Sequence, residues 1–366
     1  MIRVRSIARR HKMKSVLVAA RNGVLPKCQA PCLHKCMPKL QTYRTGFWVH
    51  ADTHSPRSQI RGKGWHLRLV KDRSSPPKVY DGREVIVCAA SWKTAQQAVF
   101  LIYDALVLIN GEPLTMFSRR RPIAYSETIR PSDGMSKELV EFARGFTLIT
   151  PDVADACQLA AKASFNRHWC YALTKYYLSC DNYSTPIVDL DPENARNLRL
   201  SPFFDDHVCF AVSIMLAYSA IEELGLHIKA SEAKPSRLPS GQWNPEVKQD
   251  LEDRLHKAGV DLTESFLWSV RGPSRRIDKR RPPRFEKLAS WSRGQVRDSY
   301  IGIPDAIAGA SWLRSKVATH GFNQLASSLS PYDVANVQHL ARRLILECVG
   351  FWRFEARKRR RRRHAG

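Results

Sequence analysis

The chain has 366 residues, 43% of them hydrophobic and 25% charged. That balance fits one or two globular domains and excludes a wholly disordered or collagen-like chain. The longest apolar-rich stretch, Ala98 to Asn110, carries Tyr103 and Asp104. It is too short and too polar to span a bilayer, so no membrane is expected.

The formal net charge of +25 is concentrated in three places. Residues 1–51 hold eleven Lys/Arg and no acid, and Arg357 to Arg363 is seven consecutive bases. Arg271 to Arg284 holds seven bases against Asp278 alone. Together they supply +24, and the rest of the chain is nearly neutral. One reading of such segments is solvated tails. The other, favoured here because all three share one sign, is contact with RNA or another polyanion. Arg271, Arg275, Arg276, Lys279, Arg280, Arg281 and Arg284 are the expected RNA-binding residues. Trp268 and Trp291 flank them, as base-stacking platforms or, as Trp more often is, as core residues.

Residues 1–46 are read as a basic, disordered arm without sustained periodicity. Their lack of acid also fits a reading frame begun too far upstream, with Met13 and Met37 as internal methionines, or an organelle transit peptide. Cys28, Cys32, His34 and Cys36 are a weak zinc candidate, because the spacing is not that of a usual knuckle and no second pair follows. No metal or other cofactor is expected elsewhere. The nine cysteines are an odd, scattered set, which speaks for a reducing, cytoplasmic setting. Cys157, Cys170, Cys209 and Cys348 fall in apolar helical patterns and read as small buried hydrophobes.

Residues 47–125 read as a small α+β unit. Trp65 to Val70 and Glu84 to Ala90 are strands, and Lys93 to Asn110 is a helix with Ser91 as N-cap and Gly111 just past its end. Residues 126–150 form a linker, with a short helix near Lys137 to Arg144. From 151 to 350 the pattern is helical. Thr150-Pro151-Asp152 starts a helix expected to reach Cys180, and Ser201-Pro202 starts another that stops at Gly225. Glu246 to Ala258 is a polar helix ended by Gly259. Ile303 to Thr319 is apolar on one face, and Ser330-Pro331-Tyr332-Asp333 opens a last helix that ends at Gly350. Residues 351–366 are a basic tail. The expected fold class is therefore α+β, a small N-terminal α+β unit followed by a mainly helical bundle.

Between the last two helices lie Arg314 and His320, with Gly321 after them. A guanidinium suits a phosphate oxygen, and an imidazole takes or gives a proton near neutrality. That pair is enough to cleave RNA without a metal. An Arg followed by His after four to six residues also occurs at Arg5/His11, Arg44/His50, Arg61/His66, and Arg357 or Arg359 with His364, and only Arg314/His320 ends an apolar-patterned helix before a well-capped one. In that context residues 202–350 resemble the HEPN superfamily: helical-bundle domains, many of them metal-independent ribonucleases, marked by Arg, four to six residues, then His near the end of an inner helix. Ser315 stands directly after the Arg, where members often have Asn, Asp or His.

The resemblance implies endoribonuclease activity with Arg314 and His320 as catalytic residues, a homodimer, and a toxin or antiphage-defence role with an antitoxin as partner. Tyr218 and Glu222 lie four apart on one helix face. Glu222 either orients His320, pairs with Arg314, or is simply solvated. The competing reading makes Arg314 and His320 structural, and the protein a non-catalytic nucleic-acid-binding or dimerisation scaffold. A polybasic membrane or chromatin anchor ranks last. Asp205-Asp206-His207 is no metal cluster, since adjacent helical residues do not share a face. No glycine-rich phosphate loop, Gly-x-Ser-x-Gly or His-Glu-x-x-His is present.

Overall fold

The structure, a computed structural model, describes residues 40–50, 60–71, 82–111, 124–126, 148–149, 152–183, 204–268, 299–318, 329 and 331–351. These contain an antiparallel-dominated sheet and seven helices, an α+β protein. Strands β1 (Gln41–His50), β2 (Arg61–Gly62), β3 (Trp65–Lys71) and β4 (Gly82–Ala89) form the sheet with two short strands, β5 (Tyr125–Ser126) and β6 (Leu148–Ile149). The order is β2-β3-β4-β1-β5, and β6 pairs parallel with β1.

The central strand β1 corrects the expected arm over 1–46, because the chain is already in the sheet at Gln41. Tyr43, Thr45, Phe47 and Val49 alternate inward along it. The pairing with β4 shifts register between Arg44 and Trp48, where Gly46 has φ 71°. The excess is two residues on β1, four steps against two on β4, so the inward alternation continues through the irregularity.

Helix α1 (Trp92–Asn110) packs across the sheet. Ser91 accepts from Thr94 N–H, and Gly111 closes the helix at φ 87°, both as expected from the sequence. The helices α2 (Val153–Ala163) and α3 (Arg167–Asn182) replace the single helix expected to Cys180. The break is local: Asn166 leaves helical geometry, and its side chain accepts from His168 N–H and Trp169 N–H as a new N-cap. Helices α4 (Phe204–Glu223), α5 (Pro245–Ala258), α6 (Ile303–Trp312) and α7 (Pro331–Val349) follow. Between α5 and α6 lies a two-stranded antiparallel pair, β7 (Phe266–Trp268) with β8 (Ser299–Ile301). Trp268 is 2% exposed and its ring lies over Gly309 of α6, so it is a core residue and no stacking platform.

The described residues from Leu40 onward form one compact unit with one continuous core, where the sequence suggested a boundary near 126–150. Helix α1 belongs to both halves. Its buried Asp104 accepts from Thr174 Oγ1 of α3 at 2.8 Å. Arg342 of α7 donates through Nε to the C-terminal carbonyl of Leu108 at 2.7 Å and through Nη2 to Ile109. A polar seam binds α3, α4 and α7 together. Ser179 and Ser213 exchange hydroxyl-to-carbonyl bonds at 2.8 and 3.1 Å, and Gln338 Nε2 donates to Ser179 Oγ at 3.0 Å and Tyr183 O at 2.7 Å.

Helix α4 is the one helix among the described residues long and apolar enough to cross a membrane by length and composition. It packs between α3, α7 and the segment after α6. The six described cysteines, including Cys157, Cys170, Cys209 and Cys348, are free. Burial pushes the thiols of Cys157, Cys180 and Cys348 up to about 12, so they stay protonated.

Candidate functional site

Helix α6 does not continue to Thr319 as a regular α-helix. After Trp312 the chain widens into a π turn, Leu313–Ala318. Such turns shift the side chains that follow and occur often at functional sites. Leu313 stays in the core, 2% exposed, and Arg314, next in the chain, comes to the surface with 40% of its side chain exposed. Ser315 Oγ donates back to the carbonyl of Ser311, one turn earlier, which occupies the serine within the turn itself.

Arg314 meets the C-terminal end of α4. Its Nη2 lies 3.5 Å from Glu222 Oε1, and its guanidinium carbon lies 5.8 Å from the centroid of the Tyr218 ring. Tyr218 and Glu222 are one helical turn apart and face the same cation. Tyr218 is buried, and burial holds its hydroxyl pKa above the usual value. The Ser311 side chain and the backbone of Ile228 act on the hydroxyl in the opposite direction. The three residues therefore form a platform: a fixed ring below, a half-exposed guanidinium on it, and one carboxylate at its side.

The turn after α4 completes the surroundings. Gly225 adopts φ 73°, which lets Leu226 N–H return to Ile221 O at 3.3 Å and folds the chain back along α4. Arg254 of α5 fixes that turn by donating to His227 O at 2.9 Å and to Gly225 O. His227 thereby comes within electrostatic reach of Glu222 and Arg314. Burial, more than any other cause, pulls its imidazole pKa below the ordinary value; Arg254, Lys229 and Arg314 act the same way and Glu222 opposes them. Sequence reading missed His227. The available signal was the glycine stop two residues before it.

Beside Glu222 in the chain, Glu223 receives Lys175 Nζ at 2.7 Å and His168 Nδ1 at 3.0 Å. The hydrogen bonds from Lys175 and His168 hold its carboxyl below the usual carboxylate range. Asp205 and Asp206 lie in the first turn of α4, where acids complement the helix dipole. Among the described residues no group of three or more His, Cys, Asp or Glu side chains gathers as a metal site.

His320, the seven bases from Arg271 to Arg284, Trp291, and the Cys28, Cys32, His34 and Cys36 set lie outside the described residues. Comparison with protein-family models, curated proteins and solved structures finds no match for this chain.

Proposed function

We propose that the protein is a HEPN-like, metal-independent endoribonuclease centred on Arg314 and His320, working as a cytoplasmic homodimer in a toxin or defence system. The observation that carries this reading is the presentation of Arg314: a half-exposed guanidinium on a buried aromatic ring, restrained by one carboxylate at 3.5 Å. A phosphate oxygen can replace so loose a partner. A bidentate ion pair within the core would not yield its guanidinium.

In the proposed reaction His320 takes the ribose 2′-hydroxyl proton as the 2′-oxygen attacks phosphorus in line. The bond to the 5′-oxygen breaks, that oxygen takes a proton from water, the hydroxide left takes the proton back from His320, and the RNA is left with a 2′,3′-cyclic phosphate. Arg314 stabilises the charge on the phosphorane. The Glu222 contact also supports a second reading, a structural ion pair in a non-catalytic RNA-binding scaffold.

The test is cleavage of labelled single-stranded RNA in EDTA by wild type, His320→Ala and Arg314→Ala. Cleavage by wild type alone, with cyclic phosphate ends, supports the enzyme. RNA binding without cleavage by any of the three supports the scaffold.

A further inference from the structure

Helices α3 and α4 run antiparallel. Asn182 Nδ2 donates to Cys209 O at one end of the pair, and His168 meets Glu223 at the other. The N-terminal end of α3 therefore lies beside the C-terminal end of α4, where Glu222 holds Arg314.

Three turns gather at that same end. Lys63 N–H, between β2 and β3, donates to Ser164 Oγ between α2 and α3 at 2.8 Å. A Cβ on Gly64 would lie 3.6 Å from Thr94 Cγ2, in the first turn of α1. Residues 60–66, 90–96 and 164–170 contain Arg61, Lys63, Lys93 and Arg167 and no Asp or Glu. Glu223, which meets this group through His168, is already engaged by Lys175.

Two large aromatic side chains stand exposed among these bases. Phe165 is 65% exposed at the tip of the α2–α3 turn, and Trp92 is 53% exposed at the start of α1. The Trp92 indole N–H donates to Ala124 O at 2.9 Å, which fixes the ring in place. Arg167 lies over the half-exposed Tyr171 ring at 5.4 Å. Exposed aromatic faces interleaved with bases match a flexible polyanion with unstacked bases better than a duplex, whose bases are covered.

We propose that this end of the molecule binds single-stranded RNA, with Lys63, Lys93 and Arg167 on phosphates and Phe165 and Trp92 against bases, as a track leading to Arg314. The last part, the destination, rests on the proposed ribonuclease reading; the binding surface does not.

The experiment uses the full chain and a labelled single-stranded 2′-O-methyl RNA, which lacks the attacking hydroxyl and so reports binding without cleavage. Anisotropy titrations are run across a series of salt concentrations. Each phosphate contact on a single strand contributes about 0.7 to the salt slope, so Lys63→Gln/Lys93→Gln/Arg167→Gln lowers the slope by about 2. Phe165→Ala weakens binding about tenfold, the order expected for one lost base stack. Arg83→Gln, at the opposite end of β4 from Ala89, leaves Phe165-dependent binding intact and lowers the slope by less than one contact.

An unchanged slope in the triple variant, at an unchanged melting temperature, overturns the proposal, as does an equal loss in Arg83→Gln. Loss of binding to phosphatidylserine vesicles with RNA binding retained overturns it in favour of a membrane surface. If wild type fails to cleave unmodified RNA while the triple variant still loses slope, the track stands and the ribonuclease reading falls.

Discussion

Glu222→Gln separates the two roles open to Arg314. The pair is 3.5 Å apart, with side chains 40% and 30% exposed. At that distance two unit charges attract by about 1 kcal/mol at the dielectric of water and about 5 kcal/mol at an effective dielectric near 20. The exposure places this pair near the lower figure, and exposed pairs typically contribute about 0.2–1 kcal/mol after side-chain entropy and screening. Stability should therefore fall by no more than about 1 kcal/mol in a urea melt. Binding should move the other way. Gln keeps the shape, removes a competing anion and frees the guanidinium for phosphate. A gain of about 1 kcal/mol corresponds to roughly fivefold tighter binding of 2′-O-methyl RNA at low salt. The refuting result is a loss of about 3 kcal/mol or more, the size of an orphaned buried charge, with RNA affinity unchanged. Arg314 would then be a structural cation.

Four further outcomes are expected. Asn166→Ala removes the side-chain acceptor for His168 N–H and Trp169 N–H and should cost about 1 kcal/mol in a urea melt. Gly62→Ala places a Cβ 2.2 Å from Trp65 Cε2, in a ring only 6% exposed, and should cost at least about 1–3 kcal/mol. Adding Trp65→Leu should recover part of that loss, which a double-mutant cycle measures. The imidazole of His339 is held below its ordinary 6.5 in the fold by burial and by Arg342. The folded chain resists a proton that the unfolded chain accepts, so stability is full above pH 6.5 and falls as the pH drops below it. His339→Gln should make that fall shallower in denaturant melts at stepped pH. At pH 8, peptide-resolved alkylation should leave Cys157 and Cys180 unmodified until the chain unfolds, because burial pushes both thiols up to about 12.

Much of the local structure was legible before any fold was known. Ser91, Gly225, Gly259 and Gly350 end or begin helices where a sequence reading puts them, because capping is settled within a few residues. The strands β3 and β4 were legible for the same reason, as apolar patterns between turn residues. The Asn166 cap is equally local, and it is masked by the two apolar stretches on either side, Cys157 to Ala163 and Trp169 to Leu173. The β7–β8 pair was not legible: its partners Trp268 and Ser299 are far apart in the chain, and two three-residue strands carry no period of their own.

The candidate site divides along the same line. Arg314 was visible as a residue type at a helix end, and Tyr218 with Glu222 as one helix face. That these meet was decided by packing, since the π turn after Trp312 sets where Arg314 points and the crossing of α4 sets what it finds there. His227 and the three gathered turns around Lys63, Lys93 and Phe165 belong wholly to tertiary structure. The sequence by itself determined composition, charge segregation and most helix ends, which depend on neighbours within a turn or two. Only the tertiary structure decided which side chains share a surface, because residues distant in the chain are brought together by burial of the common core, and no local pattern encodes that pairing.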